Sequence, residues 1–304
     1  MRALVTGGAG FIGSNLVDAL IARGDSVDVV DNLASGKREN VSARARLHVL
    51  DIREPLNALF AELKPDVCFH LAAQADVRVS IERPDYDAEV NVVGTVRVLE
   101  AARAAGSRIV FASTGGAIYG ECDAPADESS ERQPLAPYGA AKLAGEEYLL
   151  TFQRLYGMNN VVLRFGNVFG PRQDPHGEAG VVAIFLGRLR DGETCRIFGD
   201  GTQERDYVYV GDVVEAALAA AEVAGGVFNI GTGRASSVLE LYELCRKVAG
   251  SELTAELAPA RPGELQRSVL AIGKAEDELG WRPRIGLEEG LRQTWNWIAH
   301  VAIR

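Results

Sequence analysis

The stretch TGGAGFIG, residues 6–13, constrains the chain more than any other. It joins an apolar, strand-like run, RALVT (2–6), to a segment from Phe11 to Arg23 in which Ile12, Leu16, Val17, Leu20 and Ile21 recur at helical spacing. Glycines at 7, 10 and 13 let the backbone turn tightly out of the strand and let helix and strand pack closely. A second run, SVDVVD (26–31), follows at once. Strand, glycine turn, helix and strand make one unit, and a helical crossover of this kind joins parallel strands.

Further short runs appear at RLHVL (46–50), DVCFHL (66–71), RIVFAS (108–113) and NVVLRF (160–165), with helix-length segments between most of them. Buried parallel strands read as continuous apolar runs, so the pattern predicts an α/β fold, a doubly wound parallel sheet of the Rossmann type with helices on both faces. After residue 166 the alternation loosens. GNVFGPRQDPHGEAG is rich in Gly and Pro, and short strands (CRIF, DYVYV, VFNI) mix with helical stretches at 211–223, 237–249 and 287–299. The expected organisation is a nucleotide-binding domain over 1–165, completed by parts of 205–230, and a smaller interleaved C-terminal α/β lobe over 166–304 that binds substrate. Tyr207 and Tyr209 alternate on DYVYV and read as packing, and WRPRIGLEEGLRQTWNWI reads as a closing helix with core tryptophans.

In this setting the glycine turn brings backbone close to a pyrophosphate, whose charge is favoured by the exposed N–H groups where Phe11, Ile12 and Gly13 open the helix. Asp31, followed by Asn32, ends the second strand where a carboxylate accepts both ribose hydroxyls and repels a 2′-phosphate, which selects NAD over NADP. Asp51 with Ile52 follows the third strand and either holds the adenine edge or caps a helix. Leu71, Ala72, Ala73 and Gln74 follow the fourth strand, where small residues suit close passage of a ligand at the switch point of the sheet.

The net charge of −10 argues against a general affinity for nucleic acid or anionic membrane, so an anionic ligand has to meet a local arginine cluster. No apolar run approaches the roughly 20 residues that cross a bilayer, and the expected location is cytoplasmic. The four cysteines lack close pairs and read as free thiols, and His48, His70, His176 and His300 show no ligand spacing, so no metal is expected.

Tyr138 and Lys142 stand four apart after Pro137, on one face of a helix. An ammonium beside a phenol, with the nicotinamide charge close by, lowers the phenol pKa and makes it a base near neutral pH. Together with TGGAGFIG, HLAAQ, YGAAK, RFGNVFGPRQ, IFGDGTQERDYVYV, NIGTG and RPGE, this resembles the extended short-chain dehydrogenase/reductase family, and within it the UDP-sugar 4-epimerases. The resemblance implies that Tyr138 takes the proton of the sugar 4-hydroxyl while hydride passes to tightly held NAD. The 4-keto sugar then turns and receives the hydride on its other face, with Lys142 holding the nicotinamide ribose.

The family's usual hydroxyl residue falls at Gly115, so Thr114 is expected in its place with Ser113 in reserve. Related dehydratases carry an Asp-Glu pair here, and GGAI supplies neither acid nor base. The same resemblance assigns Asn167 to the substrate diphosphate and Phe198 to the uracil environment. It also gives Arg205 and Arg261 to the diphosphate and Glu264 to the uridine ribose, roles that suit bidentate guanidinium–phosphate and carboxylate–diol pairing. A small Ser268 leaves room for an N-acetyl group, whereas Arg78 suits a uronic carboxylate, so glucose/galactose, N-acetylhexosamine and glucuronate/galacturonate pairs stay open. A dehydratase, an epimerase for another nucleotide and a non-catalytic NAD-bound protein are the alternatives. A homodimer joined by helices near 88–105 and 138–155 is also implied.

Overall fold

The computed structural model describes residues 1–175, 180–260 and 265–301. The chain opens β1 (Arg2–Thr6), α1 (Phe11–Ala22), β2 (Ser26–Asp31), β3 (Arg46–Val49), α2 (Asn57–Leu63), β4 (Val67–His70), α3 (Val77–Glu82) and α4 (Pro84–Ala88). A π-helical turn, Glu89–Gly94, leads into α5 (Thr95–Ala105), β5 (Arg108–Thr114), α6 (Gly115–Ile118), α7 (Pro137–Tyr156) and β6 (Val161–Phe165). Then come β7 (Asn167–Phe169), α8 (Val181–Arg190), β8 (Arg196–Phe198), β9 (Glu204–Arg205), β10 (Tyr207–Tyr209), α9 (Val210–Ala220) and β11 (Gly226–Ile230). The remaining elements are β12 (Ser236–Ser237), α10 (Val238–Ala249), β13 (Glu256–Ala258), β14 (Arg267–Ser268), α11 (Gly273–Leu279) and α12 (Leu287–Val301).

Seven strands form one parallel sheet in the order β11-β6-β5-β4-β1-β2-β3. Because strand side chains alternate, Ala3, Val5, Val29 and Phe69 pack on one face with Leu16, Leu20, Val213 and Trp281, while Leu4, Val30, Cys68 and Phe111 pack on the other with Phe60, Leu99 and Leu149. A separate core joins α8, α10 and α12 through Phe185, Leu241 and Leu291, and Tyr207 and Tyr209 are buried in it. Trp281 is buried with its Nε1 donating to the Asp212 carbonyl, and Trp295 and Trp297 border the second core. All four cysteines are free.

Several boundaries differ from the sequence-based expectation. The third strand ends at Val49, one residue early, and the helix expected at 211–223 ends at Ala220, ahead of Gly225 and Gly226, whose φ angles of +145° and +135° no helix accommodates. The helix expected from 237 starts at Val238, because Ser237 caps it through a reciprocal bond with Glu240. The π-helical turn at 89–94 carries no signal in the apolar pattern. Among the described residues, no helix is long and apolar enough to cross a membrane.

Behind the ends of β5 and β6 lies a buried ion pair. Arg164 and Glu146 meet at 2.6 Å with side chains 3% and 0% exposed. Glu146 also accepts from Ser113 Oγ at 2.5 Å, and Arg164 donates to the Tyr119 hydroxyl at 2.7 Å. Burial, only partly offset by Arg164, pushes the Tyr119 phenol up to about 12, so it serves as a neutral link, donating onward to Asn229 Oδ1 at 2.8 Å. Removing one member strands a buried charge. Glu146→Ala is expected to cost about 3–5 kcal/mol in urea unfolding, against less than about 1 kcal/mol for Glu243→Ala in an exposed pair with Arg246. Equal losses would contradict this placement of the charges.

Candidate active site

Strands numbered 1 to 3 leave the middle of the sheet in one direction and strands 4, 5, 6 and 11 in the other, so the chain parts between β1 and β4. That switch point is where α/β sheets bind ligands. A cleft of ≈ 670 Å³ opens there, lined by the glycine turn, the 31–36 and 51–52 segments, the loop after β4, Ser113, Tyr138, Lys142 and Gln173.

The glycine turn is sterically determined. Gly7 has φ +72°, and a Cβ on it would stand 2.6 Å from the Ala72 amide nitrogen; one on Gly13 would stand 2.2 Å from the Gly7 carbonyl oxygen. Gly10 is the N-cap of α1 and contributes no side-chain cap, so Phe11, Ile12 and Gly13 open the helix with their N–H groups towards the cleft. Gln173 Oε1, on the same cleft, is buried without a partner among the described residues. Backbone that approaches this closely and uncapped helix N–H groups fit a dinucleotide pyrophosphate.

Asp31 is buried at the end of β2, its two oxygens accepting from the Ala9 and Leu33 amides at 2.9 and 2.8 Å. Asn32 Nδ2 donates to Asp51 at 2.9 Å. Hydrogen bonds from Arg53, above all from its guanidinium, hold the Asp51 carboxyl well below the usual carboxylate range, despite partial burial. The helix-cap reading of Asp51 fails, since α2 starts only at Asn57, whereas Asp51 and Ile52 both line the cleft.

The loop after β4 rests on a chain of polar groups. The Ala72 N–H donates to Thr6 Oγ1 at 3.2 Å, and Thr6 Oγ1 lies 2.7 Å from His70 Nδ1. His70 Nε2 lies 3.0 Å from Thr95 Oγ1, which donates to the Asn91 carbonyl at 2.7 Å. Since Thr95 spends its proton on Asn91, it accepts from Nε2–H, and Thr6 donates to Nδ1; the ring is neutral. Complete burial, and then the nearby Lys142 charge, hold His70 down to about 3.

Tyr138 and Lys142 occupy successive turns of α7, which begins with Pro137. Lys142 is 3% exposed, donates from Nζ to the Ala112 carbonyl at 2.9 Å and lies 4.8 Å from the centre of the Phe111 ring. Tyr138 is half-buried and lines the cleft. The turn that carries it docks tightly on α6, since a Cβ on Gly139 would stand 2.5 Å from the Ala117 carbonyl oxygen.

A Cβ on Gly115 would stand 2.6 Å from a Leu270 methyl, so any side chain there requires Leu270 to shift. Of the two substitutes, Ser113 is committed to Glu146. Thr114 is half-buried, at the N-cap of α6, and makes no cap bond with its side chain. Around Gly116, three residues far apart in sequence converge: a Cβ there would stand 3.5 Å from Asn167 Oδ1, 3.9 Å from Thr114 Oγ1 and 4.0 Å from Ser268 Oγ.

Other expected residues lie further out. Arg78 is on the cleft rim, its side chain 68% exposed and held bidentately by Asp76 at 3.0 and 2.5 Å. Phe198 ends β8 half-buried, and Arg205 in β9 donates to the Glu204 carbonyl at 2.8 Å. Arg261, Glu264 and His176 lie outside the described residues. Among the described residues no group of three or more His, Cys, Asp or Glu could hold a metal ion. Gly116 and Gln173 went unrecognised as site residues in the sequence, although Gly116 lies in the GGAI stretch and Gln173 ends RFGNVFGPRQ, one of the motifs that carry the resemblance.

Residues 3–231 match the NAD dependent epimerase/dehydratase family. The chain is 47% identical over 304 residues to the UDP-glucose 4-epimerase of Mycolicibacterium smegmatis, with 97% of each chain covered. It superposes with a TM-score of 0.97 on the UDP-glucose 4-epimerase of Thermotoga maritima in a crystal with UDP-glucose, at 47% identity over 99% of this chain and 100% of that one. A crystal structure of the Thermus thermophilus UDP-glucose 4-epimerase with NAD gives a TM-score of 0.93 at 48% identity, covering 98% and 99%.

The neutral, buried His70 makes stability depend on pH with a definite sign. Its folded pKa lies below its unfolded value of about 6.5, so in the interval between them the unfolded chain binds a proton that the native chain does not, and stability is lost as pH falls. Between pH 6 and 5 the unmodified protein is expected to lose about 1 kcal/mol more than His70→Gln in urea unfolding. Parallel losses would contradict a neutral ring.

Proposed function

The chain belongs to the NAD dependent epimerase/dehydratase family, and on that premise we propose that it inverts the 4-hydroxyl of a UDP-hexose, interconverting UDP-glucose and UDP-galactose. The observation that carries this reading is the cluster at Gly116, where the neutral polar groups of Thr114, Asn167 and Ser268 meet beside the docked Tyr138 turn.

Tyr138 accepts the proton of the 4-hydroxyl, and Thr114 Oγ1 bonds the reacting oxygen. NAD held in the cleft would supply the hydride acceptor and donor for C4. Lys142, held between the Ala112 carbonyl and the Phe111 ring, keeps a positive charge near the phenol and favours its ionised form. Gly115, Gly116 and Ala117 offer no acid to expel a hydroxyl and no base to act beside the ketone, so the 4-keto sugar can only be reduced again.

The cofactor residues are those of the cleft: Gly7, Gly10 and Gly13 with Phe11 and Ile12 at the pyrophosphate, Asp31 and Asn32 at the ribose, Asp51 and Ile52 at the adenine, and Leu71 to Gln74 along the floor. Asp31 keeps lone pairs for the ribose diol and excludes a 2′-phosphate. Asn167, Arg205 and Arg261 receive the substrate diphosphate, and Phe198 and Glu264 the uridine. A neutral sugar is favoured over a uronate because the Arg78 guanidinium is already neutralised by Asp76. The small Ser268 leaves space for an N-acetyl group as a secondary substrate feature.

We take the protein to act in the cytoplasm as a homodimer. Val93, beside α5, and Tyr148, Leu155 and Tyr156 on α7 are exposed apolar residues that a second copy would cover. Light scattering should give twice the chain mass, and a monomer at working concentration would overturn the dimer.

The catalytic assignment is tested by Tyr138→Phe. With folding and NAD content unchanged, turnover of UDP-glucose to UDP-galactose should fall by roughly 10²–10⁴-fold, the range for loss of a general acid–base group. Unchanged turnover would remove Tyr138 from the chemistry.

A further inference from the structure

Asp87 in α4 is fully buried, and the chemistry above does not use it. Its Oδ1 accepts two amide hydrogen bonds, from Gln74 Nε2 at 2.8 Å and Asn91 Nδ2 at 3.0 Å. Those bonds fix which end of each carboxamide is the donor. With its nitrogen so directed, Asn91 clasps the backbone of Gln74 from both sides, Oδ1 accepting from the Gln74 N–H at 3.0 Å and Nδ2 donating to the Gln74 carbonyl at 2.8 Å. Gln74 in turn accepts from the Asp76 N–H at 2.7 Å and donates to the Asp76 carbonyl at 3.0 Å. Within the cleft floor, residues 74 to 76 thus hang on one carboxylate.

The other oxygen, Asp87 Oδ2, is buried and has no hydrogen-bond partner among the described residues. A buried carboxylate oxygen in that state is tolerated where a nearby positive charge compensates it. Burial raises the Asp87 carboxyl, and the Lys142 ammonium is close enough to draw it back down, as do the two amides. Resting on the assignment of Tyr138 as proton acceptor, we propose that Asp87 is a positioning residue: its buried negative charge locks residues 74–76 of the floor through Gln74 and Asn91 and offsets the Lys142 ammonium that activates Tyr138.

The surroundings leave few competing charges. From α7 only Lys142 acts on Asp87, while Glu146 on that helix is paired with Arg164. From the loop before α3 and from α3 itself, Asp76 and Arg78 neutralise each other, and Glu82 is exposed. On α4, Asp85 is exposed and Tyr86 carries Arg53 and Arg83 against its ring. Glu89 of the π-helical turn is exposed and lies 3.7 Å from Arg53, and His70 of β4 is neutral. Removing the Asp87 charge therefore leaves Lys142 less compensated, which stabilises the Tyr138 phenolate and lowers its pKa.

The test titrates Tyr138 in the NAD-loaded enzyme by ultraviolet phenolate absorbance, with the same protein carrying Tyr138→Phe as the baseline that subtracts the other tyrosines. Asp87→Asn keeps an acceptor for both amides and loses only the charge; Asp87→Ser is the second variant should the first fold poorly. Both are expected to move the Tyr138 titration, and the acid limb of the turnover profile with it, down by roughly one pH unit. A Tyr138 titration and acid limb unmoved in either folded variant would overturn the proposal while leaving Tyr138 as the base. Absence of any Tyr138-dependent titration in the unmodified enzyme would remove both readings together.

Discussion

The architecture depends on a side chain that is missing. A Cβ on Gly13 would lie 2.2 Å from the Gly7 carbonyl oxygen, far inside contact distance, and one on Gly7 would press on the Ala72 backbone while forcing a left-handed φ. Only glycine permits the first helix to start directly on the turn out of β1, and only then do β1 and β4 bring Gly7 and Ala72 together at the switch point. Asp31 locks the arrangement from the neighbouring strand by accepting from the Ala9 amide. The uncapped helix start, the carboxylate and the small-residue floor of the cleft all follow from that one close approach.

Behind the site, buried charge is held in hydrogen-bonded pairs and turns. Arg164 and Glu146 tie β6 to α7 and hold Ser113 at the end of β5. Buried Asp206 accepts from Thr232, Gly233 and Leu270 and so fixes the turn after β11 against the segment that follows β14. Burial raises its carboxyl against those hydrogen bonds. Rigid polar anchors of this kind hold catalytic groups within the narrow tolerances that proton and hydride transfer require. The groups gathered around Gly116 are two hydroxyls and an amide, which suits a reaction that must oxidise and reduce one carbon without eliminating its neighbour.

Much of this was legible in the sequence because it is local. The strand–turn–helix unit, Asp31 at a strand end and Tyr138 with Lys142 one turn apart each lie within a few residues, where periodicity and spacing speak directly. What was not legible depends on long-range closure. Thr114, Asn167 and Ser268 meet only because β7 runs beside β10 and β14 beside β9, pairs too short to leave a pattern. Thr114 was already preferred over Ser113 in the sequence, but the engagement of Ser113 with Glu146 and the bidentate hold of Asp76 on Arg78 required the folded chain. Asp87 gave no signal of its own in the sequence; its hold on Gln74 and Asn91 depends on the π-helical turn that carries Asn91.

The most direct measurement follows the hydrogen at C4. NAD-loaded enzyme, without added reductant, is given UDP-glucose carrying deuterium at C4, and the product is resolved by chromatography and mass. The account predicts UDP-galactose of unchanged mass with the deuterium still on C4, because the hydride leaves and returns within one closed site. Loss of the deuterium to solvent, or a product lighter by one water, would contradict it.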